Sequence, residues 1–307
     1  MSSENKYKVI ASNLKFEGRA FINGKYVNSI DGETFETINP ATGEVLCTVA
    51  KCNSKDVDLA VKSSRKSFES GTWSRSTPEH RKEVLLKFAK LLSKEGEENS
   101  VLESVDTGKL IVDCINEVAN DAPMHFQWYG ELIDKVFGKV GPTDPSITSL
   151  VVKEPIGVVA GVVPWNFPLM MAVWKMAPAL AAGCSVIIKP AEDTPLTAIK
   201  VAKTASEAGI PDGVLNVLPG FGNVGEALGR HKDVDAISFT GSTEVGGYFM
   251  KYSGESNLKT VGLEMGGKSP FIVLDDAKIT EDLIAVSYTH LRAHETSLHL
   301  VCRLLLE

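Results

Sequence analysis

From residue 158 onward, the apolar positions fall into short, unbroken, β-branched runs separated by longer amphipathic stretches. The runs lie at 158–163 (VVAGVV), 185–188, 214–218 and 236–239, each followed by a helical stretch, with shorter ones at 259–263 and 271–274. A strand apolar on both faces belongs inside a parallel sheet, and alternation of such strands with helices builds one. The pattern predicts an α/β fold around a doubly wound parallel sheet. Its densest part is 156–190. There a strand runs into the corner Pro164-Trp165-Asn166-Phe167-Pro168. A buried helix over 169–182 follows, interrupted by Lys175 and ended at Gly183, and the next strand delivers Lys189-Pro190-Ala191-Glu192 to the same edge. Prolines on either side of Asn166 fix the backbone around an amide at a strand's carboxyl end, where open α/β sheets place ligands. The alternative is an Asn that caps the next helix.

The first half reads differently. Residues 21–27 (FINGKYV) alternate around Asn-Gly, a hairpin signal. Ser54 is placed to cap a helix reaching about residue 69, with Val57, Ala60, Val61, Ser64 and Phe68 along one face. Thr77-Pro78 starts another, with Val84, Leu85, Phe88, Leu91 and Leu92 inward. A third helical pattern spans 112–137, its aromatics Phe126, Trp128 and Tyr129 assigned to the core, and leads into a polar linker at 138–146. Residues 147–153 (ITSLVVK) alternate weakly before Pro155, as an excursion strand outside the main sheet would.

Composition narrows the classes. With 307 residues, 43% hydrophobic and 23% charged, the chain can bury a large core, in about two domains. A net charge of -7 and no basic cluster argue against nucleic acid and anionic membranes as partners. The N-terminus lacks an apolar signal core and no apolar run approaches the roughly 20 residues of a spanning helix, so a cytoplasmic location is expected. Cysteines at 47, 52, 114, 184 and 302 have no paired spacing, which points to reduced thiols rather than disulfides or zinc.

Two glycine-rich turns compete for the phosphates of a nucleotide. Gly220-Phe221-Gly222-Asn223-Val224-Gly225 matches the dinucleotide fingerprint after a strand, but the acid expected about 20 residues on is missing. The next strand ends instead in Phe239-Thr240-Gly241-Ser242-Thr243-Glu244, which offers backbone N–H groups, hydroxyls and a helix N-terminus. Either turn could equally be close strand-to-helix packing. A third element, Leu263-Glu264-Met265-Gly266-Gly267-Lys268, sets a carboxylate before two glycines. Glu264 is a general-base candidate, or else a surface partner of Lys268.

Together, PWNFPL at 164–169, KPAE at 189–192, FTGSTEVG at 239–246 and LEMGGKSP at 263–270 resemble the aldehyde dehydrogenase superfamily in order and spacing, over about residues 21–283. Within it the chain is most similar to NAD-dependent enzymes of amino-aldehydes, such as γ-glutamyl-γ-aminobutyraldehyde or betaine aldehyde. The resemblance implies oxidation of an aldehyde to its acid through a cysteine thiohemiacetal and thioester. Asn166 would stabilise the oxyanion, Glu264 would activate the hydrolytic water, and Lys175 would line the same region. Lys189 and Glu192 would hold the adenosine ribose, favouring NAD over NADP. Ser242 and the amides at Gly241 would face the pyrophosphate and Gly222 would border the adenine, with Trp165 and Phe239 also against the cofactor. No metal is implied; the complete protein would be a homo-oligomer, a dimer or tetramer.

The resemblance also fixes where the sequence departs from it. Family members continue into a catalytic cysteine loop containing Asn, Gly or Gln, absent here. The composition changes abruptly at Val286, and the 22 residues 286–307 contain no Gly, Pro, Asp, Asn or Lys. We expect a non-native tail and a truncated catalytic domain. Cys302 lies 38 residues after Glu264, near the nucleophile's place, but in a Leu-Val-Cys-Arg-Leu setting. His294-Glu295 with His299 misses the zincin spacing by one residue. The expected organisation is a helical part of the NAD-binding domain at 1–142, the excursion at 143–157, a Rossmann-like core at 158–268, the start of the catalytic domain at 269–285 and the tail. The alternative to an enzyme is an inert NAD-binding fragment.

Overall fold

The structure, a computed structural model, describes residues 3–267 together with 274, 276, 278 and 280. Lys268, most of the strand predicted at 271–274, and the tail with Cys302 lie outside the described residues.

A helix α1 (Ser3–Asn13) precedes a hairpin of β1 (Ala20–Ile22) and β2 (Lys25–Val27). Its Asn23-Gly24 turn has φ of 52° and 77°, the left-handed pair that a two-residue hairpin requires. A second hairpin, β3 (Thr34–Ile38) with β4 (Val45–Ala50), forms its own small sheet. Helices α2 (Ser54–Ser70), α3 (Pro78–Lys94), α4 (Gly96–Thr107) and α5 (Ile111–Cys114) follow, then a π-helical segment Ile115–Asp121, α6 (Ala122–Leu132) and a 3₁₀ turn Ile133–Lys135. The short strands β5 (Lys139–Gly141) and β6 (Ser149–Val151) pair only with each other. The remaining elements alternate as predicted: β7 (Val158–Val162), α7 (Pro168–Ala182), β8 (Ser185–Lys189), α8 (Leu196–Ala208), β9 (Leu215–Val217), α9 (Gly222–Arg230), β10 (Ala236–Gly241), α10 (Thr243–Gly254) and β11 (Thr260–Met265).

The main sheet runs β11-β10-β7-β8-β9-β1-β2. Its five strands from β7 to β11 are mutually parallel, while the N-terminal hairpin joins β9 antiparallel, so the doubly wound parallel sheet gains an antiparallel edge. Side-chain alternation along β8 divides the core. Val186 and Ile188 pack with α3, α6, α7 and α8, whereas Ile187 packs with Val57 and Val61 of α2, Val224 of α9 and Phe249 of α10. Each such side chain taken from water contributes about 1.5–3 kcal/mol, and the two-sided burial explains why these strands read as unbroken apolar runs.

Several local expectations need correction. The cap of α2 is Asn53, not Ser54: its side chain accepts from the N–H of Lys55, and Asp56 reaches back to the N–H of Asn53, completing a capping box. The helix expected over 112–137 is broken by the π segment. Phe126 is fully buried, but Trp128 is 57% exposed, because residues two apart point to opposite sides of a helix. The linker at 138–146 contains β5, which makes the excursion a two-stranded ribbon.

Candidate functional site

Parallel strands aim their carboxyl ends the same way, and here that edge collects the chemistry. Val162, the last residue of β7, is in register with Lys189 of β8 on one side and Phe239 of β10 on the other. One residue beyond Phe239, Thr240 is in register with Glu264 of β11. The corner at 164–167, the turn at 189–194, the end of β10 and Glu264 therefore leave the sheet along one border.

Asn166 stands in the first of these corners, half-buried. The N-cap of α7 is Phe167, which makes no side-chain capping bond. No hydrogen bond of the Asn166 amide is found among the described residues, so the capping alternative falls away. Trp165 is exposed, and its carbonyl accepts from Thr194 Oγ1 at 3.3 Å, linking this corner to the next. Lys109 Nζ lies 4.0 Å from the Phe167 ring centroid and pairs with Glu117 of the π segment.

Lys175 interrupts the apolar face of α7 because its head has partners across the sheet. It is 6% exposed, and Nζ donates to Thr240 Oγ1 at 2.8 Å and Ser238 Oγ at 3.2 Å. Its stem crosses β7 at Gly161, where a Cβ would stand 3.1 Å from Lys175 Cδ and 2.8 Å from Ile188 Cδ1. Burial pushes the ammonium down to about 8, with the negative charge of Glu264 opposing. Glu264 itself is exposed on β11.

Lys189 is buried, and its Nζ donates to Glu192 Oε2 at 2.9 Å. Burial of Glu192 works against its charge, yet the Lys189 ammonium and hydrogen bond outweigh it and hold the carboxyl below the usual range. Ser242 caps α10 by accepting from the N–H of Val245 at 3.3 Å. Gly241 is packed from beneath, since a Cβ there would meet the Phe239 ring at 2.5 Å. Phe239 is buried, its ring tilted against that of Phe249 with centroids 5.0 Å apart. In the fingerprint-like turn, Gly220 has φ 146° and a Cβ would strike Val224 and Cys52, so packing accounts for it. Gly222, in contrast, has nothing within 4 Å of that position and opens α9 to a neighbour.

Thr240 and Ser238, the partners of Lys175, were not singled out from sequence; the signal was a hydroxyl at alternate positions of a strand otherwise apolar. Of the cysteines, Cys52, Cys114 and Cys184 are buried and Cys47 is half-buried. Burial raises all four thiols, Cys47 to about 11 and Cys114 to about 12. Among the described residues no group of three or more His, Cys, Asp or Glu could hold a metal, and no helix is long and apolar enough to cross a membrane.

Comparison with known proteins identifies the family. Residues 26–292 match the model of the aldehyde dehydrogenase family. The aminoacetaldehyde dehydrogenase of Pseudomonas aeruginosa is 50% identical over 286 residues, 93% of this chain and 57% of that protein. The NADP/NAD-dependent aldehyde dehydrogenase PuuC of Escherichia coli is 50% identical over 87% of the chain and 54% of its own length. Among solved structures, the P. syringae indole-3-acetaldehyde dehydrogenase AldA, in complex with NAD+, superposes with a TM-score of 0.86 at 50% identity, covering 88% of this chain and 55% of that one. The chain spans about half the length of the curated relatives it matches.

Proposed function

Because this chain belongs to the aldehyde dehydrogenase family, we propose that it carries the nucleotide site and part of the catalytic machinery for NAD-dependent oxidation of an amino-aldehyde to its carboxylic acid. The observation that carries this reading is the convergence of Asn166, Lys175, the Lys189 and Glu192 pair, Ser242 and Glu264 on one edge of the parallel sheet. The names of the relatives at 50% identity support the amino-aldehyde class and NAD.

The residues fit the dinucleotide. Lys189 and Glu192 offer a donor and an acceptor for ribose hydroxyls, the N-terminus of α10 at Ser242 offers N–H groups to phosphate, and the open space at Gly222 admits a base. When bound, NAD accepts the hydride removed from the substrate carbon. Asn166 donates its amide N–H to the oxyanion that develops on the aldehyde oxygen. Glu264 takes the proton of the water that cleaves the thioester, and Lys175, bonded to Thr240 in register with it, lines the same region. The thiol that forms the thioester is not supplied by the described cysteines.

That last point favours a second reading, in which the chain binds NAD without oxidising aldehydes, since thiols with raised pKa hold little thiolate. Incubation with NAD and an amino-aldehyde, followed by NADH absorbance, separates the two. Turnover lost on Cys302→Ser supports the enzyme reading for this chain; NAD binding without turnover supports the second. Absence of NAD-induced tryptophan quenching overturns both.

A further inference from the structure

Two carboxyls on α4 stand behind the site. Glu103 and Asp106 lie three residues apart, hence on one face of the helix, and both are buried, Glu103 completely. Glu103 Oε2 accepts from the backbone N–H of Leu169 at 3.1 Å and from Thr197 Oγ1 at 3.0 Å. Asp106 Oδ2 accepts from the N–H of Leu196 at 3.0 Å, and its Oδ1 from Thr37 Oγ1 of β3 at 3.0 Å. Leu169 is in the first turn of α7, and Leu196 and Thr197 are in the first turn of α8. The first N–H groups of a helix have no partner within it and take an acceptor from elsewhere. The chain's own caps at these ends are Phe167 and Pro195, neither of which makes a side-chain capping bond. The acids of α4 supply from outside what the local sequence lacks.

The corner before α7 holds Asn166, and the turn before α8 holds Lys189 and Glu192. We propose that Glu103 is a positioning residue for the site, its carboxyl group bridging α7 and α8 so that the oxyanion donor and the ribose-binding pair keep a fixed spacing, with Asp106 locking the start of α8 in the same way. This rests on the functional reading above. A carboxylate placed here only for stability is a poor choice, because Glu103 Oε1 is buried with no partner among the described residues, an expense that an apolar side chain avoids. The bridge between two loop-bearing helix ends is what that side chain gives.

The test measures NAD affinity of the 307-residue chain by tryptophan quenching, well below each variant's melting temperature, with folding checked by circular dichroism. Thr197→Val severs the α8 side of the bridge and leaves Glu103 bonded to Leu169; Glu103→Ala removes the bridge; Glu103→Gln keeps a carbonyl acceptor in the same shape. Expected is NAD binding weakened about fivefold or more in Thr197→Val and Glu103→Ala, and restored to within about twofold in Glu103→Gln. If Glu103→Ala does not fold, Thr197→Val decides alone. Folded variants with lower melting temperatures but wild-type NAD affinity overturn the inference and leave a stabilising role only. Wild-type chain that does not bind NAD overturns the functional reading, and the inference with it.

Discussion

Glu192 and Lys189 neutralise each other across 2.9 Å, which sets how strongly this site can discriminate against a 2′-phosphate. A lone carboxylate would repel it, and one already paired repels it less. NAD is expected to bind better than NADP by no more than about tenfold. Glu192→Gln should narrow that gap, and Lys189→Ala should weaken both dinucleotides; equal or tighter binding of NADP by the wild type contradicts the assignment. Glu103 gives a second residue-scale expectation. Burial pushes it up to about 7 from its ordinary value, although its bonds to Leu169 and Thr197 oppose this. The folded state therefore holds a proton that the unfolded chain has already released. Stability from this group is complete below the unfolded pKa near 4.5 and is lost as pH rises through about 7. Chemical denaturation of wild type and Glu103→Gln across that window should show the wild type losing on the order of 3 kcal/mol relative to the variant. A constant difference would mean that Glu103 titrates normally. Nothing in the local sequence announced this group. ESVDTG reads as a solvated helix end, and only the helices packed over α4 bury it, whereas the corner that holds Asn166 was legible because its flanking prolines fix the chain locally.

At the scale of elements, the strands were legible wherever both faces are buried, since the sequence must then be apolar throughout. The hairpin β3–β4 and the helix α4 were not, although Asn39-Pro40 with Gly43 marks the turn of one and Gly108 the end of the other, because each presents a polar face and so lacks a clear apolar period. The capping of α2 was missed by one residue for a related reason: Asn53 and Ser54 are both good caps, and the choice is made by Asp56, whose side chain reaches Asn53 N–H. Asn53→Ala should destabilise the chain by about 1 kcal/mol in thermal or denaturant unfolding. The crossing of α7 over β7 is more demanding. At Gly161 a Cβ would press on both Lys175 and Ile188, so Gly161→Ala should cost about 1–3 kcal/mol and displace the Lys175 head from Thr240. An unchanged melting temperature would show that the two side chains can yield.

The whole molecule presents its β5–β6 ribbon to solvent, with Val140, Leu150, Val151 and Val152 exposed along it. Such a ribbon has free backbone edges and apolar side chains, a combination that promotes pairing with other chains. Sedimentation should show concentration-dependent self-association, and a sharp monomer at all concentrations would contradict it. The excursion itself was legible from weak alternation ahead of Pro155; its second strand was not, because Lys139–Gly141 lies in a stretch whose composition is that of a loop. The sequestered sulfurs have a practical corollary. Cys52, Cys114 and Cys184 are buried, Cys47 is half-buried, and all four thiols are held above their ordinary pKa. A neutral solution of native chain therefore offers an alkylating reagent almost no background from them. Fast incorporation of a single label, located by mass, would read out Cys302 directly and report how much thiolate its surroundings allow.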